Sequence, residues 1–289
     1  MIEIQEKAYA KLNISLDVLG LLPGGYHEMS MVMQSVSLHD DVLLRLCGSG
    51  QIRLQTNLGF LPCDEGNIAY RAADIFFRRL GSPCPGLDIR LEKRIPVCAG
   101  LGGGSSDGAA VLRGLNTLMG QPFDRAALEA MAAEIGSDTP FCIAGGTQLA
   151  TGTGTTLEDI PPLPDCGIVI CKPPFSIRTP ELFKKIDSRK SRLHPDTAGI
   201  LKALEQQDLK AVARRMYNVF EDVLPRGCGD IARLKGELLD CGALGSVMSG
   251  TGSALFGIFE DMAKAEKAAE VMKNQCRNVY PAQPVGKLM

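Results

Sequence analysis

Residues 10–18, AKLNISLDV, alternate strictly: Leu12, Ile14, Leu16 and Val18 fall on one face, Lys11, Asn13, Ser15 and Asp17 on the other. That is the period of a half-buried strand. Leu87, Ile89 and Leu91 alternate in the same way with Asp88, Arg90 and Glu92, and Pro96 closes that strand. Helical spacing takes over in NIAYRAADIFFRRLG, where Ile68, Ala72, Ile75 and Phe76 share a face and Gly81 supplies a stop. A second helix runs to about Gly120 on Ala109, Leu112 and Leu115, with Ser105 or Ser106 as its N-cap. A third, DRAALEAMAAEIG, starts at Asp124 and stops at Gly136. Asp138 then precedes a proline and what reads as an apolar strand.

After the Gly/Thr-rich GGTQLATGTGTT the chain turns Pro-rich at IPPLPD, which marks a boundary between lobes at 1–158 and 159–289. The second part predicts a strand in CGIVICK, an irregular stretch to about 196, and helices near 197–204, 208–223 and 228–240. A strand pair in ALGSVMSG and SALFGIF and a last helix in DMAKAEKAAEVMKNQC complete it. The class is α+β, two lobes sharing a cleft.

Composition narrows the functions. At 289 residues and 45% hydrophobic the chain can bury one large core or two modest ones. A net charge of -2 with interspersed signs argues against a nucleic-acid partner and for a small-molecule one. With neither a signal-peptide pattern nor an apolar run near ~18–20 residues, the expectation is no membrane partner and a cytoplasmic protein. Motifs that begin by residue 8 leave no room for a transit peptide, so the expected setting is bacterial. Ten scattered cysteines without a C-x-x-C, and three histidines at no ligand spacing, predict reduced, buried thiols and no zinc.

The stretch PVCAGLGGGSSDGAA, residues 96–110, lies between a strand and a helix. Its glycines miss the dinucleotide spacing, because Ser105 stands where the third would fall. It has no lysine of the P-loop kind either. What remains is backbone N–H groups free to face an anion at a helix N-terminus, or a flexible capped turn. Phosphoryl transfer also needs a proton acceptor and a cation. Lys11 and Asn13 on the first strand and Asp138 are candidates, against the alternatives of a solvated strand face and an ordinary turn aspartate. SGTGSALFG, 249–257, is a second glycine turn or a hairpin connection.

In this order, AYAKLNISLDVLG, GGYHEMSMVMQSVSLHD, GNIAYRAA, PVCAGLGGGSSDGAA, GSDTPF and SGTGSALF resemble the GHMP kinase family over residues 8 to about 259. GYHE…QSVSL and the triple glycine before Ser-Ser resemble the members that phosphorylate 4-diphosphocytidyl-2-C-methylerythritol in the non-mevalonate isoprenoid pathway. A homoserine or mevalonate kinase, or a nucleotide-binding module without turnover, is the alternative. The resemblance implies an N-terminal lobe like the second domain of ribosomal protein S5 and a ferredoxin-like C-terminal lobe, with ATP and Mg²⁺ in the cleft. It places the phosphates on Pro96, Val97, Cys98, Ala99, Gly100, Leu101, Gly102, Gly103, Gly104, Ser105 and Ser106, the last also a metal candidate. Asn67 and Lys93 would meet the adenosine end. Asp138 would be the base on the 2-hydroxyl and Lys11 would stabilise the oxyanion. Tyr26 and Phe183 would sandwich cytosine, His27 bond its edge, and Asn13 and Thr179 contact the acceptor. The chain departs from the family at Gly108, usually alanine, and in PGGYHE and ATGTGTTL.

Overall fold

The computed structural model describes residues 2–189 and 193–289. Its first sheet is organised by a long antiparallel ribbon, β1 (Glu3–Leu21) and β2 (His27–Leu46). Next come β3 (Ile52–Thr56), α1 (Ile68–Leu80), β4 (Leu87–Glu92), α2 (Gly103–Leu118), α3 (Arg125–Ala133), α4 (Thr139–Ala144), β5 (Thr147–Gly152) and β6 (Thr156–Asp159). The two halves of β2 have different neighbours: residues 41–46 pair with β4 and residues 29–34 with β5. The predicted polar face of β1 is not solvated. Lys11, Asn13, Ser15 and Asp17 are all buried, because the chain that follows packs over that face.

The remaining elements are β7 (Gly167–Lys172), α5 (Thr179–Asp187), α6 (Thr197–Glu205), α7 (Leu209–Arg214), β8 (Tyr217–Asn218), α8 (Gly229–Asp240), β9 (Gly245–Met248), β10 (Leu255–Phe259), α9 (Met262–Met272) and β11 (Asn278–Ala282). A four-stranded antiparallel sheet in the order β11-β7-β10-β9 is built wholly from this part. Two segments nonetheless return to the first sheet. β8 pairs parallel with β1, and the tail after β11 bonds back to Ser35 and Ala144.

Several expectations change. The helix expected over 208–223 ends at Arg214, then gives way to β8 and a 3-10 helix at Val219–Val223, where Asn218 caps Phe220 N. The irregular stretch contains α5, and the segment after Asp138 is the short helix α4 rather than a strand. Neither Ser105 nor Ser106 caps α2: the helix starts within the glycines, with Gly102 at φ 69 as its N-cap and no side-chain cap. All ten cysteines are free, but Cys63 and Cys98 are exposed, and only Cys142, Cys166, Cys171 and Cys276 are buried. Burial pushes the Cys142 thiol up to about 12.

α2 is the central element of the first lobe, buried from Ser106 to Asn116 among α1, α4 and β1. Its small residues permit that approach. A Cβ on Gly108 would stand 2.7 Å from Ile68 Cγ2. Helix propensity alone assigns Gly108→Ala a gain of about 1 kcal/mol, whereas forcing a methyl against a β-branched neighbour costs about 1–3 kcal/mol. The variant is expected to melt at the wild-type temperature or a few degrees lower. A rise of about 2 °C would show that propensity prevails.

Candidate active site

The chain from Lys93 to Asp107 walls a cavity of about 330 Å³ together with Pro62, Asn67 and Ile68. Every phosphate-loop residue predicted from Pro96 to Ser105 lines it. Ser106 does not, because its hydroxyl donates to Tyr9 O at 2.6 Å, anchoring α2 to β1. The first N–H groups of the 16-residue α2, at Gly103, Gly104 and Ser105, have no intrahelical partner and stand at the positive end of the helix dipole. Two glycines are sterically required. A Cβ on Gly102 would lie 2.8 Å from Lys11 Cγ, and one on Gly100 would lie 2.1 Å from Ser249 O; both have positive φ.

At the far wall the Lys93 ammonium sits between Asp40 and Asp107, 2.5 Å from each. Burial works against that ammonium, but the two carboxylates outweigh it and hold its pKa above the ordinary value. Asp40 also accepts from the backbone N–H groups of Arg94 and Ile95. Asp107 has less help: its Oδ1 is buried without a partner, and burial pushes its carboxyl up to about 7. Lys93 therefore lines the cavity with its charge already committed. Asn67 caps α1 through Ala69 N and donates to Pro62 O.

A second cavity, about 790 Å³, lies on the other side of Gly100, which lines both. Lys11, Asp138, Tyr26, His27, Thr179 and Phe183 all line it. Lys11 Nζ is 3.3 Å from Asp138 Oδ2 and donates to Asn13 Oδ1 at 2.8 Å. Asp138 precedes α4 but makes no capping bond, which leaves its carboxylate turned to Lys11. Thr179 Oγ1 lies 2.8 Å from Thr251 Oγ1.

Two acceptor assignments change. Asn13 is fully buried and does not line the cleft, because its amide is spent on Lys11 and Met31 Sδ. The ring stacked on Phe183 is His27, at 4.3 Å and 29°, while Tyr26 is 67% exposed. The turn ahead of Tyr26 closes by a bond from Leu22 N to Tyr26 O.

Sequence reasoning missed Asp40, Asp107, Asp187, Thr153, Thr155, Asn218 and Ser249. Asp107 follows Ser-Ser directly in the quoted loop, and a charge at that place was a usable signal. Asn218 was not legible: its amide reaches Met248 O and Gly250 O across the fold to hold the second glycine turn. That turn joins β9 to β10 and also abuts the phosphate loop, with Ser249 Oγ donating to Gly100 O and Ala254 N to Ala99 O.

The GHMP kinases N terminal domain family matches residues 67–146, and the GHMP kinases C terminal family residues 200–278. The chain is 42% identical over 285 residues to a 4-diphosphocytidyl-2-C-methyl-D-erythritol kinase of Acetivibrio thermocellus, covering 99% of this chain and 100% of that one. A Clostridium botulinum protein of the same name is 40% identical over 274 residues, 95% of this chain and 97% of its own. The crystal structure of a 4-(cytidine 5'-diphospho)-2C-methyl-D-erythritol kinase superposes with a TM-score of 0.84 at 31% identity, covering 98% of this chain and 100% of that one. Among the described residues no helix is long and apolar enough to cross a membrane.

The buried cluster carries a pH signature. From the ordinary 3.8 up to about 7 the folded protein holds a proton on Asp107 that the unfolded chain has lost. The Asp107 contribution to stability therefore falls as pH rises across that window and levels off above it, by at most about 1.4 kcal/mol per pH unit. Urea unfolding at about pH 5 and about pH 8 checks this: the stability of the wild type relative to Asp107→Asn should be higher at the lower pH. Equal differences at the two pH values would refute it.

Proposed function

The chain belongs to the GHMP kinases, and from that premise we propose that it transfers the γ-phosphoryl group of ATP to the 2-hydroxyl of 4-diphosphocytidyl-2-C-methylerythritol. The observation that carries the reading is the Lys11–Asp138 pair, which lies on the acceptor side of the one glycine, Gly100, that lines both cavities. In this reading the phosphates lie against Gly103, Gly104 and Ser105 and the acceptor fills the larger cleft.

The P–O bond to ADP breaks as the bond to the 2-oxygen forms, and the hydroxyl proton passes to Asp138. A carboxylate is a weak base toward an alcohol, so proton removal accompanies or follows transfer. Most of the rate then comes from positioning and from the Lys11 charge beside the transferred group. Asn13 contributes by fixing that ammonium. Tyr26 supplies an apolar face for cytosine, His27, stacked on Phe183, bonds its edge, and Thr179 and Thr251 offer hydroxyls to the acceptor.

Mg²⁺ is part of this proposal. Among the described residues no cluster of three or more His, Cys, Asp or Glu could cage a metal. Mg²⁺ that arrives on phosphates needs no such cage, only one or two hard oxygens. Ser105, on the wall of the nucleotide cavity, would offer such an oxygen, whereas Ser106 is spent on Tyr9. When bound, the ion offsets charge on the β- and γ-phosphate oxygens.

Homoserine and mevalonate kinases share the fold, but an aromatic-lined cleft of this size favours an acceptor that carries a base. ADP release is expected with the cytidyl acceptor and not with homoserine or mevalonate; the reverse pattern overturns the acceptor assignment. Asp138→Asn should lower kcat by about 10² with little change in KM for ATP. A variant with wild-type kcat would remove Asp138 from the mechanism.

A further inference from the structure

At the base-recognition end of the acceptor cleft the lining residue His27 is bonded to a carboxylate that the reading above does not use. His27 Nε2 lies 2.8 Å from Asp187 Oδ1, and its Nδ1 makes no hydrogen bond to the described residues. Phe183 and Asp187 are four residues apart on α5, so both project from one face of that helix. Phe183 lies against the face of the imidazole while Asp187 holds one edge. Phe183 is itself braced by Phe220, edge-on at 5.0 Å and 82°. The ring is thus fixed in plane and in rotation, with its second nitrogen left for the cleft.

An ionised carboxylate can only accept, so the Nε2 that faces it must carry hydrogen, and in the neutral ring Nδ1 is then an acceptor. Cytosine presents a 4-amino donor where uracil presents a carbonyl oxygen. We propose that Asp187 is a positioning residue that holds His27 in the Nε2–H tautomer, so that Nδ1 accepts from the 4-amino group and the site selects cytidyl over uridyl acceptors. This rests on the cytidyl reading above and adds the residue that makes His27 a one-way reader. With uracil held in the same register by stacking, Nδ1 and the 4-oxygen would be two acceptors face to face, and a polar pair of that kind rejects the wrong base.

Two variants separate this from simple bracing. Asp187→Ala frees the ring to take either tautomer. Asp187→Asn can accept from Nε2–H through its oxygen or donate to Nε2 through its nitrogen, and so no longer imposes one tautomer. The first readout is the ¹⁵N spectrum of the full chain labelled at histidine, with His27 identified by the loss of its signals in His27→Gln. The wild type should show a protonated Nε2 and an unprotonated Nδ1, and both variants should shift toward the other tautomer. The second is steady-state kinetics with the cytidyl acceptor and its uridyl counterpart. In both variants KM for the cytidyl acceptor should rise about twofold, as the competent tautomer falls to about half, the cytidyl-to-uridyl preference should fall about tenfold as the uridyl-competent tautomer appears, and KM for ATP should not change.

A wild-type His27 found as the Nδ1–H tautomer or as imidazolium overturns the proposal. So does an Asp187→Ala enzyme that keeps the wild-type preference, or one whose KM for ATP rises as much as that for the acceptor. Failure of the underlying reading is separate and visible first: a wild-type protein that turns over neither cytidyl nor uridyl acceptor removes base recognition before any variant is compared.

Discussion

The carbonyl of Ser249 occupies the place where a side chain on residue 100 would begin. That close approach of two glycine turns, one from each sheet's side of the molecule, sets the position of everything else in the site. It lets Ser249 Oγ reach Gly100 O and Ala254 N reach Ala99 O, so the phosphate loop is bonded to the β9–β10 turn rather than left free. It also brings Thr251 beside Thr179 and Gly250 beside Lys11. A glycine there is a condition on distance as much as on φ.

The same economy governs α2. α2 lies close against α1 and β1 because its contact positions are small: Ala109 and Ala110 do this without loss of helix propensity, Gly108 and Gly114 at a cost in it. Packing then delivers the N-terminus of α2 to the cavity wall with little freedom. Charge is buried beside it, where Lys93 faces two carboxylates. Such a cluster is a weak source of stability, since desolvation offsets most of the attraction. What it provides is a fixed wall: Asp40 holds the backbone of Arg94 and Ile95, and Asp107, one turn into α2, meets the same ammonium.

Period and capping made much of the fold readable before any coordinates. α1 begins at the capping Asn67 and ends at Gly81, and β4 follows its alternation, because in both cases local physics and tertiary packing ask for the same residues. The failures have one origin. Alternation in β1 identified a strand but could not say that its polar face would be covered, and so left a solvated face open as an alternative for Lys11 and Asn13. The serines of the loop looked like caps because cap rules are local, while Ser106 answers to Tyr9 on another element. In the site, the lysine, aspartate and loop residues came from short motifs. Asn218, Asp187 and Asp40 act across tens to hundreds of residues, and nothing in their own neighbourhoods announces it.

Under the proposed mechanism the arrangement also explains how a weak base can suffice. Lys11 is anchored from below by Asn13 and bounded by Gly102 on one side, so its ammonium has little room to follow Asp138 when the carboxylate moves. A cation held by the scaffold rather than by the base remains aimed at the junction whichever proton state Asp138 has. Charge that develops on the transferred group then meets a partner already in place, and no reorganisation is needed at that moment. The proposed chemistry therefore depends less on the basicity of one carboxylate than on the buried amide two residues along the strand from Lys11, which lines neither the nucleotide cavity nor the acceptor cleft.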